Sequence, residues 1–296
     1  MIVVAGASGF IGRALCEAIV RRGGRVVRIG RGAEAEIAWP VRGMEFDDGA
    51  MRTLARAAAV VALSGEPIAT RWDAARKQEI HWSRAGLTGV LARAIGRAGG
   101  APPAVISASA VGFYGDRGDE WLDESSMPGS DFLASVVRDW EAAAGPAAEA
   151  GARVVHARMG AVLGAGGGML ARVVRPFRLG GGATLGRGRQ WMSWISLGDA
   201  VEALLRAIDD DALHGPVNVV SPEPARNATF TAALARAVRR PALLFAPAPV
   251  LRLAFGEMAD ALLLASQRVR PGALQAAGFA FGHATLDAAL AAALTP

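Results

Sequence analysis

The chain opens Met1-Ile-Val-Val-Ala-Gly6-Ala-Ser-Gly9-Phe-Ile-Gly12-Arg-Ala-Leu-Cys16, and these residues decide the fold. Met1 to Ala5 is a short β-branched apolar run. Arg13 to Arg22 is amphipathic at helical spacing and stops at Gly23-Gly24. Strand, glycine turn and helix thus follow one another directly. In that order Gly6 permits a tight turn, Gly9 lets backbone approach a pyrophosphate, and Gly12 lets helix and strand pack closely. The unpaired N–H groups of the helix N-terminus then face an anion. As a bare spacing, Gly-x-x-Gly-x-x-Gly is weak; its place between a strand and a helix gives it meaning.

Outward from this unit the alternation continues. Arg25–Ile29, Val60–Leu63, Ala104–Ser107 and Val154–Arg158 read as strands, with helical patterns at Gly49–Ala58, Trp72–Arg97 and around Ser135–Glu149. The expected fold class is α/β, a Rossmann-type doubly wound parallel sheet covered on both faces. Residues 1–215 form the dinucleotide-binding domain, with a substrate-lobe insertion around 164–195. Residues 216–296 form a small C-terminal α/β lobe carrying a strand at Val217–Val220 and a helix at Thr229–Arg239. The segments Gly164–Gly168, Leu179–Gly182 and Gly186–Gly188 read as loops.

Composition closes several doors. The 296 residues are 52% apolar, enough to bury a sizeable core. A lone Cys16 makes neither an internal disulfide nor a cysteine-based metal site, and the four histidines lack zinc spacing, so no metal is expected. The start has no signal-peptide pattern, and even Pro249–Ala265 is interrupted by Arg252, Gly256, Glu257 and Asp260. A cytoplasmic protein with no membrane partner is expected. A net charge of +5, carried by scattered arginines, gives no nucleic-acid footprint. The expected partner is a small-molecule substrate; the oligomeric state is left open, with a homodimer as one form.

The second strand ends in Gly30-Arg31, where an NAD-selective site places an acidic residue on the ribose hydroxyl. An arginine there offers planar donors to a 2′-phosphate, so NADP is expected over NAD.

Four stretches together carry a resemblance: the Gly6–Gly12 loop, Leu63-Ser-Gly-Glu66, Ser107-Ala-Ser-Ala-Val-Gly-Phe-Tyr-Gly115, and Arg158-Met-Gly-Ala-Val-Leu-Gly164. With them the chain resembles the extended short-chain dehydrogenase/reductase superfamily. Arg71-Trp72, Ser83-Arg84, Asp139-Trp140-Glu141, Gln190-Trp-Met-Ser-Trp-Ile195 and Arg268-Val-Arg-Pro271 narrow the likeness to its NAD(P)-dependent epimerase/dehydratase-like subgroup. The resemblance implies that Gly6, Ser8, Gly9, Phe10, Ile11 and Gly12 hold the pyrophosphate and that Gly30 and Arg31 hold the adenosine ribose phosphate. It places Leu63, Ser64 and Gly65 along the adenine side, Glu79 and Arg84 along the cofactor, and Ser107 and Ser109 at the nicotinamide end. Ser109 matches the superfamily's catalytic serine. Arg178, Arg187, Arg189, Gln190, Ser193 and Asn218 fall where substrate is faced, which favours an anionic or nucleotide-sugar-like molecule.

One expected feature is missing. The superfamily transfers protons through Tyr-x-x-x-Lys, a lysine one helical turn on lowering the tyrosine pKa. Here the only tyrosine is Tyr114, followed four residues later by Gly118, and the only lysine is Lys77. Laid on Trp140-Glu141, the two places fall near Leu133 and Val137. Two functions follow: an NADP-dependent reductase or epimerase/dehydratase with Ser109 and another acid/base (Tyr114, Asp116, Glu120 or His81), or a catalytically silent NADP(H)-binding redox sensor or regulator. Asp199, in Ser196-Leu-Gly-Asp199, reads as part of a helix cap.

Overall fold

The alternation of apolar strands and amphipathic helices folds as expected in a computed structural model that describes residues 1–294. Seven parallel strands form its central sheet: β1 Ile2–Ala5, β2 Val26–Gly30, β3 Ile37–Ala38, β4 Ala59–Ala62, β5 Ala104–Ala110, β6 Val154–Met159 and β7 Gly215–Val219. Their order is β7-β6-β5-β4-β1-β2-β3. The chain therefore leaves β1 in one direction and resumes at β4 in the other, which opens a crevice at the carboxyl ends of β1 and β4.

Side chains alternate across each strand and feed two cores. Val4, Val61, Ile106, Val155 and Val217 pack with Leu15 and Ile19 of helix α1 (Phe10–Arg21) and with Val201, Leu204 and Leu205 of the helix Leu197–Asp209. Val3, Val60, Val105 and Val154 face the other way, onto Leu54 of α2 (Asp48–Ala55) and onto Leu91 and Ile95 of α3. Helix α3 covers residues 74–97 as Ala74–His81, a π-helical turn Trp82–Gly86 and Leu87–Arg97. The longer helices that follow are α4 Phe132–Ala142, α5 Leu170–Arg178, α6 Leu197–Asp209, α7 Asn227–Ala237, α8 Ala248–Phe255 and α9 Leu286–Leu294.

Two expectations shift. The helix expected through Ser135–Glu149 breaks after Ala142, because Pro146 fits only the first turn of a new helix, Gly145–Glu149. The proposed boundary at 215/216 falls inside β7, which pairs with β6 from Gly215↔Val155 to Val219↔Met159. The central sheet thus takes its last strand from beyond that boundary. Short strand pairs also tie the lobe together: Ala161–Leu163 with Trp194–Ser196, Ala183–Leu185 with Leu244–Ala246, and Trp121–Leu122 with Arg268–Val269. The lobe has its own core of Leu163, Leu170, Phe177, Trp194, Phe230, Leu234 and Leu290. Among the described residues no helix is long and apolar enough to cross a membrane.

Candidate functional site

Gly6 takes φ +81°, and a Cβ there would lie 2.7 Å from the Leu63 carbonyl carbon. At Gly12 it would lie 2.1 Å from the Gly6 oxygen. Those two glycines are therefore required by the contact between β1, β4 and α1. Gly9 differs: a Cβ would meet only the Gly6 oxygen, at 3.1 Å, and otherwise open space. Gly9 is the N-cap of α1 and makes no side-chain cap, which leaves the first N–H groups of that turn without a capping acceptor. Ser8 and Gly9 are exposed and Phe10 and Ile11 half-buried at this rim.

Phe10 has a second role. Its ring is enclosed by Gly164–Gly168: a Cβ at Gly167 would lie 2.2 Å from Phe10 Cδ2, and one at Gly164 or Gly168 2.9 Å from the ring. Read from sequence as an ordinary loop, this glycine run is the seat of the aromatic ring at the head of α1.

At the end expected to meet the adenosine, Arg31 follows β2 with its side chain 82% exposed, donating from Nη2 to Glu66 Oε1 at 3.2 Å. The loop after β4 is clasped to α3. Glu66 N donates to Ser83 Oγ at 3.1 Å, and Arg84 Nη2 donates to the Glu66 carbonyl at 2.9 Å. Burial lowers the Arg84 pKa to about 10, with Arg76 adding to the shift. Its guanidinium also limits Gly65, where a Cβ would approach within 3.3 Å. Leu63 and Ser64 are half-buried on this loop; Glu79, on α3, is half-buried too.

Strand β5, expected to meet the nicotinamide, runs past the last residue of β4: Ser107 pairs with Ala62, and Ser109 lies beyond it beside Arg158. Ser107 is fully buried, its hydroxyl 3.3 Å from the Ala108 carbonyl. Ser109 Oγ donates to Glu141 Oε1 at 2.5 Å. Arg158 grips the same carboxylate through Nε and Nη2, both at 2.8 Å, with side chains only 5% and 12% exposed. The Arg158 guanidinium also lies 3.5 Å from the Phe113 ring centroid. This buried pair was missed from sequence; Arg158, alone and charged in an apolar strand, was the available signal, since such a residue requires a partner.

Tyr114 has no exposed surface. Its hydroxyl donates to Asn218 Oδ1 at 2.7 Å and accepts from Arg158 Nη1 at 3.1 Å, and burial raises its pKa. The other acid/base candidates also have partners: His81 with Asp139, Asp116 with the Ser266 backbone N–H, and Glu120 with Arg117. Lys77 bonds Glu257 at 2.5 Å and lies over Phe132, sharing no partner with Tyr114. Leu133 and Val137 are buried and pack against Gly112. Of the substrate-facing set, Arg178, Arg187 and Arg189 are exposed. Gln190 donates to the carbonyls of Leu185 and Leu263, Ser193 donates to that of Gln267, and Asn218 holds Tyr114. These three hold the fold itself, which corrects their placement toward substrate.

The model of the NAD dependent epimerase/dehydratase family matches residues 2–221, and a domain of unknown function (DUF1731) matches residues 246–293. The chain belongs to the NAD dependent epimerase/dehydratase family. A family relative, Epimerase family protein Mb2239 of Mycobacterium bovis, is 48% identical over 299 residues, covering 100% of this chain and 98% of that one. The crystal structure of human epimerase family protein SDR39U1 (isoform 2) with NADPH superposes at a TM-score of 0.90 with 34% identity, covering 99% of this chain and 98% of that chain. A nucleoside-diphosphate sugar epimerase from Corynebacterium glutamicum has TM-score 0.78 and 36% identity, over 99% of this chain but 57% of that one.

Proposed function

We propose that this family member binds NADP(H) and acts as a reductase-like or epimerase/dehydratase-like enzyme on a small, anionic substrate. The observation that carries the reading is the uncapped first turn of α1 behind Gly6, Gly9 and Gly12, with the exposed Arg31 at the end of the neighbouring strand. The fit is chemical: backbone N–H groups suit a pyrophosphate, and a guanidinium held on one side by Glu66 keeps donors for a 2′-phosphate. The NADPH complex of the human relative supports the same cofactor.

When bound, NADP(H) supplies hydride exchange with the substrate. Gly6, Ser8, Gly9, Phe10, Ile11 and Gly12 would hold the pyrophosphate, and Gly30 and Arg31 the ribose phosphate. Leu63, Ser64 and Gly65, fixed by Arg84, would border the adenosine; Glu79 and Ser107 line the cofactor's path. Ser109 is the proposed catalytic residue. Because its proton points to Glu141, which Arg158 holds from both sides, the serine offers lone pairs to a substrate hydroxyl. Tyr114 acts in this reading as the buried anchor of Arg158 and Asn218, which orients Glu141 in turn.

A second reading, NADP(H) binding without turnover, is favoured by Leu133 and Val137 filling the Tyr and Lys places with buried apolar side chains. A calorimetric titration tests the cofactor: a charge-assisted pair at Arg31 predicts NADPH binding roughly 10–100-fold tighter than NADH, lost in Arg31→Ser. Equal affinities overturn it. NADPH-oxidation and NADP-reduction screens over carbonyl compounds, alcohols and nucleotide sugars separate the two readings: turnover that Ser109→Ala abolishes supports the enzyme, and tight NADPH binding without turnover supports the sensor.

A further inference from the structure

Two stretches of the lobe carry arginines and no acid. Residues 169–190 contain five arginines and residues 237–256 contain three, with neither Asp nor Glu in either. The fold joins them. Leu244–Ala246 pairs in parallel with Ala183–Leu185, Leu244 N donates to the Gly182 carbonyl, and Arg240 Nε donates to the Arg178 carbonyl at 3.2 Å. Pro247 then leads directly into α8.

The same face is apolar. Leu243 is 87% exposed, Leu253 81% and Leu179 78%, with Leu244, Phe245 and Val250 each more than half exposed. Val250 and Leu253 stand three residues apart on α8, opposite the buried Leu251, so they project together away from the lobe core. Isolated exposed leucines are ordinary; a run of six at the joined edge of two acid-free basic stretches is a patch. Of the arginines in these stretches only Arg252 has an acidic partner among the described residues, Asp260.

We propose that this face, α8 with the Leu243–Phe245 edge strand and Leu179, docks on an anionic membrane surface. Apolar side chains accompanied by arginines that, Arg252 apart, have no acidic partner among the described residues match the acyl boundary and the phosphate layer of such a surface. A second copy of the same face fits badly, because like-charged arginines would meet across it. The sequence-based expectation of no membrane partner rested on the lack of a spanning segment, which does not bear on surface contact.

The test is cosedimentation of the full chain with phosphatidylcholine vesicles, with or without phosphatidylglycerol at roughly one lipid in three. Expected are binding to the anionic vesicles alone, its loss at high salt, and its loss in Leu243→Ser with Leu253→Ser. In Arg175→Gln with Arg239→Gln the partition coefficient should fall by about five-fold per arginine. Unchanged NADPH affinity and melting temperature in both variants establish that the fold is intact. No binding to anionic vesicles overturns the proposal, as does binding that neither variant alters. A stable dimer that Leu243→Ser with Leu253→Ser dissociates also overturns it, assigning the face to a second copy.

Discussion

Replacing Arg158 by Met puts the buried pair to a quantitative test. The substitution keeps an unbranched apolar stem, but removes the guanidinium that lies over Phe113, its two 2.8 Å bonds to Glu141 and the 3.1 Å bond to Tyr114. A carboxylate only 12% exposed is left with Ser109 as its side-chain donor among the described residues. Breaking a buried pair from one side costs about 3–5 kcal/mol, chiefly because the remaining charge has lost its compensation. With a urea slope of about 3 kcal/mol/M, the midpoint should fall by roughly 1–1.7 M. Glu141→Leu alone should cost about as much, leaving a guanidinium unpaired. The double variant, Glu141→Leu with Arg158→Met, should recover most of the loss, because well-packed apolar pairs replace such ions with little change. The measurement is a double-mutant cycle by urea unfolding followed through tryptophan fluorescence, Trp140 being next to Glu141. Additive losses, or an Arg158→Met cost below about 1 kcal/mol, would refute the reasoning that the two charges depend on each other.

The glycine loop separates stability from binding. Gly12→Ala forces a Cβ against the Gly6 oxygen and should cost about 3 kcal/mol or more, whereas Gly9→Val should melt near the wild type while losing NADPH affinity by calorimetry; equal effects on both would refute the division. Grafting the superfamily pair, Leu133→Tyr with Val137→Lys, should destabilise by about 3 kcal/mol or more in urea, since both places are buried against Gly112. Wild-type stability would show that the cleft reaches them. Asp123 is held down to about 2, first by the Arg270 side chain at 2.6 Å and then by Ser125. A depressed carboxylate stabilises the fold above its ordinary pKa near 3.8, and that contribution is lost as pH falls from about 4 through about 2. Arg270→Gln should therefore raise the Asp123 carboxyl pKa toward 3.8 in an NMR titration and flatten acid unfolding in that window; an unmoved titration would exclude Arg270 as the cause.

What the sequence disclosed was local. Gly6 to Gly12 could be placed because turn, helix start and strand lie within a dozen residues, and the capping role of Asp199 followed from Ser196 three residues earlier; Asp199 N does donate to Ser196 Oγ, at 3.0 Å. The same carboxylate also accepts from the backbone of Gly282 and His283, a contact across 83 and 84 residues that no local pattern encodes. The Glu141–Arg158 pair was hidden for that reason: a helix residue and a strand residue met only once the sheet had formed. Tyr114 misled because a residue type was weighed without its burial, and a phenol with no exposed surface cannot be distinguished by counting from one lining a cleft. Gln190, Ser193 and Asn218 misled similarly, since polar residues inside a lobe satisfy backbone groups as readily as they meet ligands.

Phe10 belongs to two structures at once. Its N–H stands in the first turn of α1, at the rim of the crevice, while its ring is seated in the five-residue glycine run that leads into α5 of the lobe. A ring so enclosed cannot swing aside without opening Gly164–Gly168. In the proposed binding mode, release of a phosphate by loosening of that helical turn would be coupled to movement of a segment more than 150 residues away in sequence. In kinetic terms, the residence time of the ligand becomes a property of the lobe as well as of the loop that touches it.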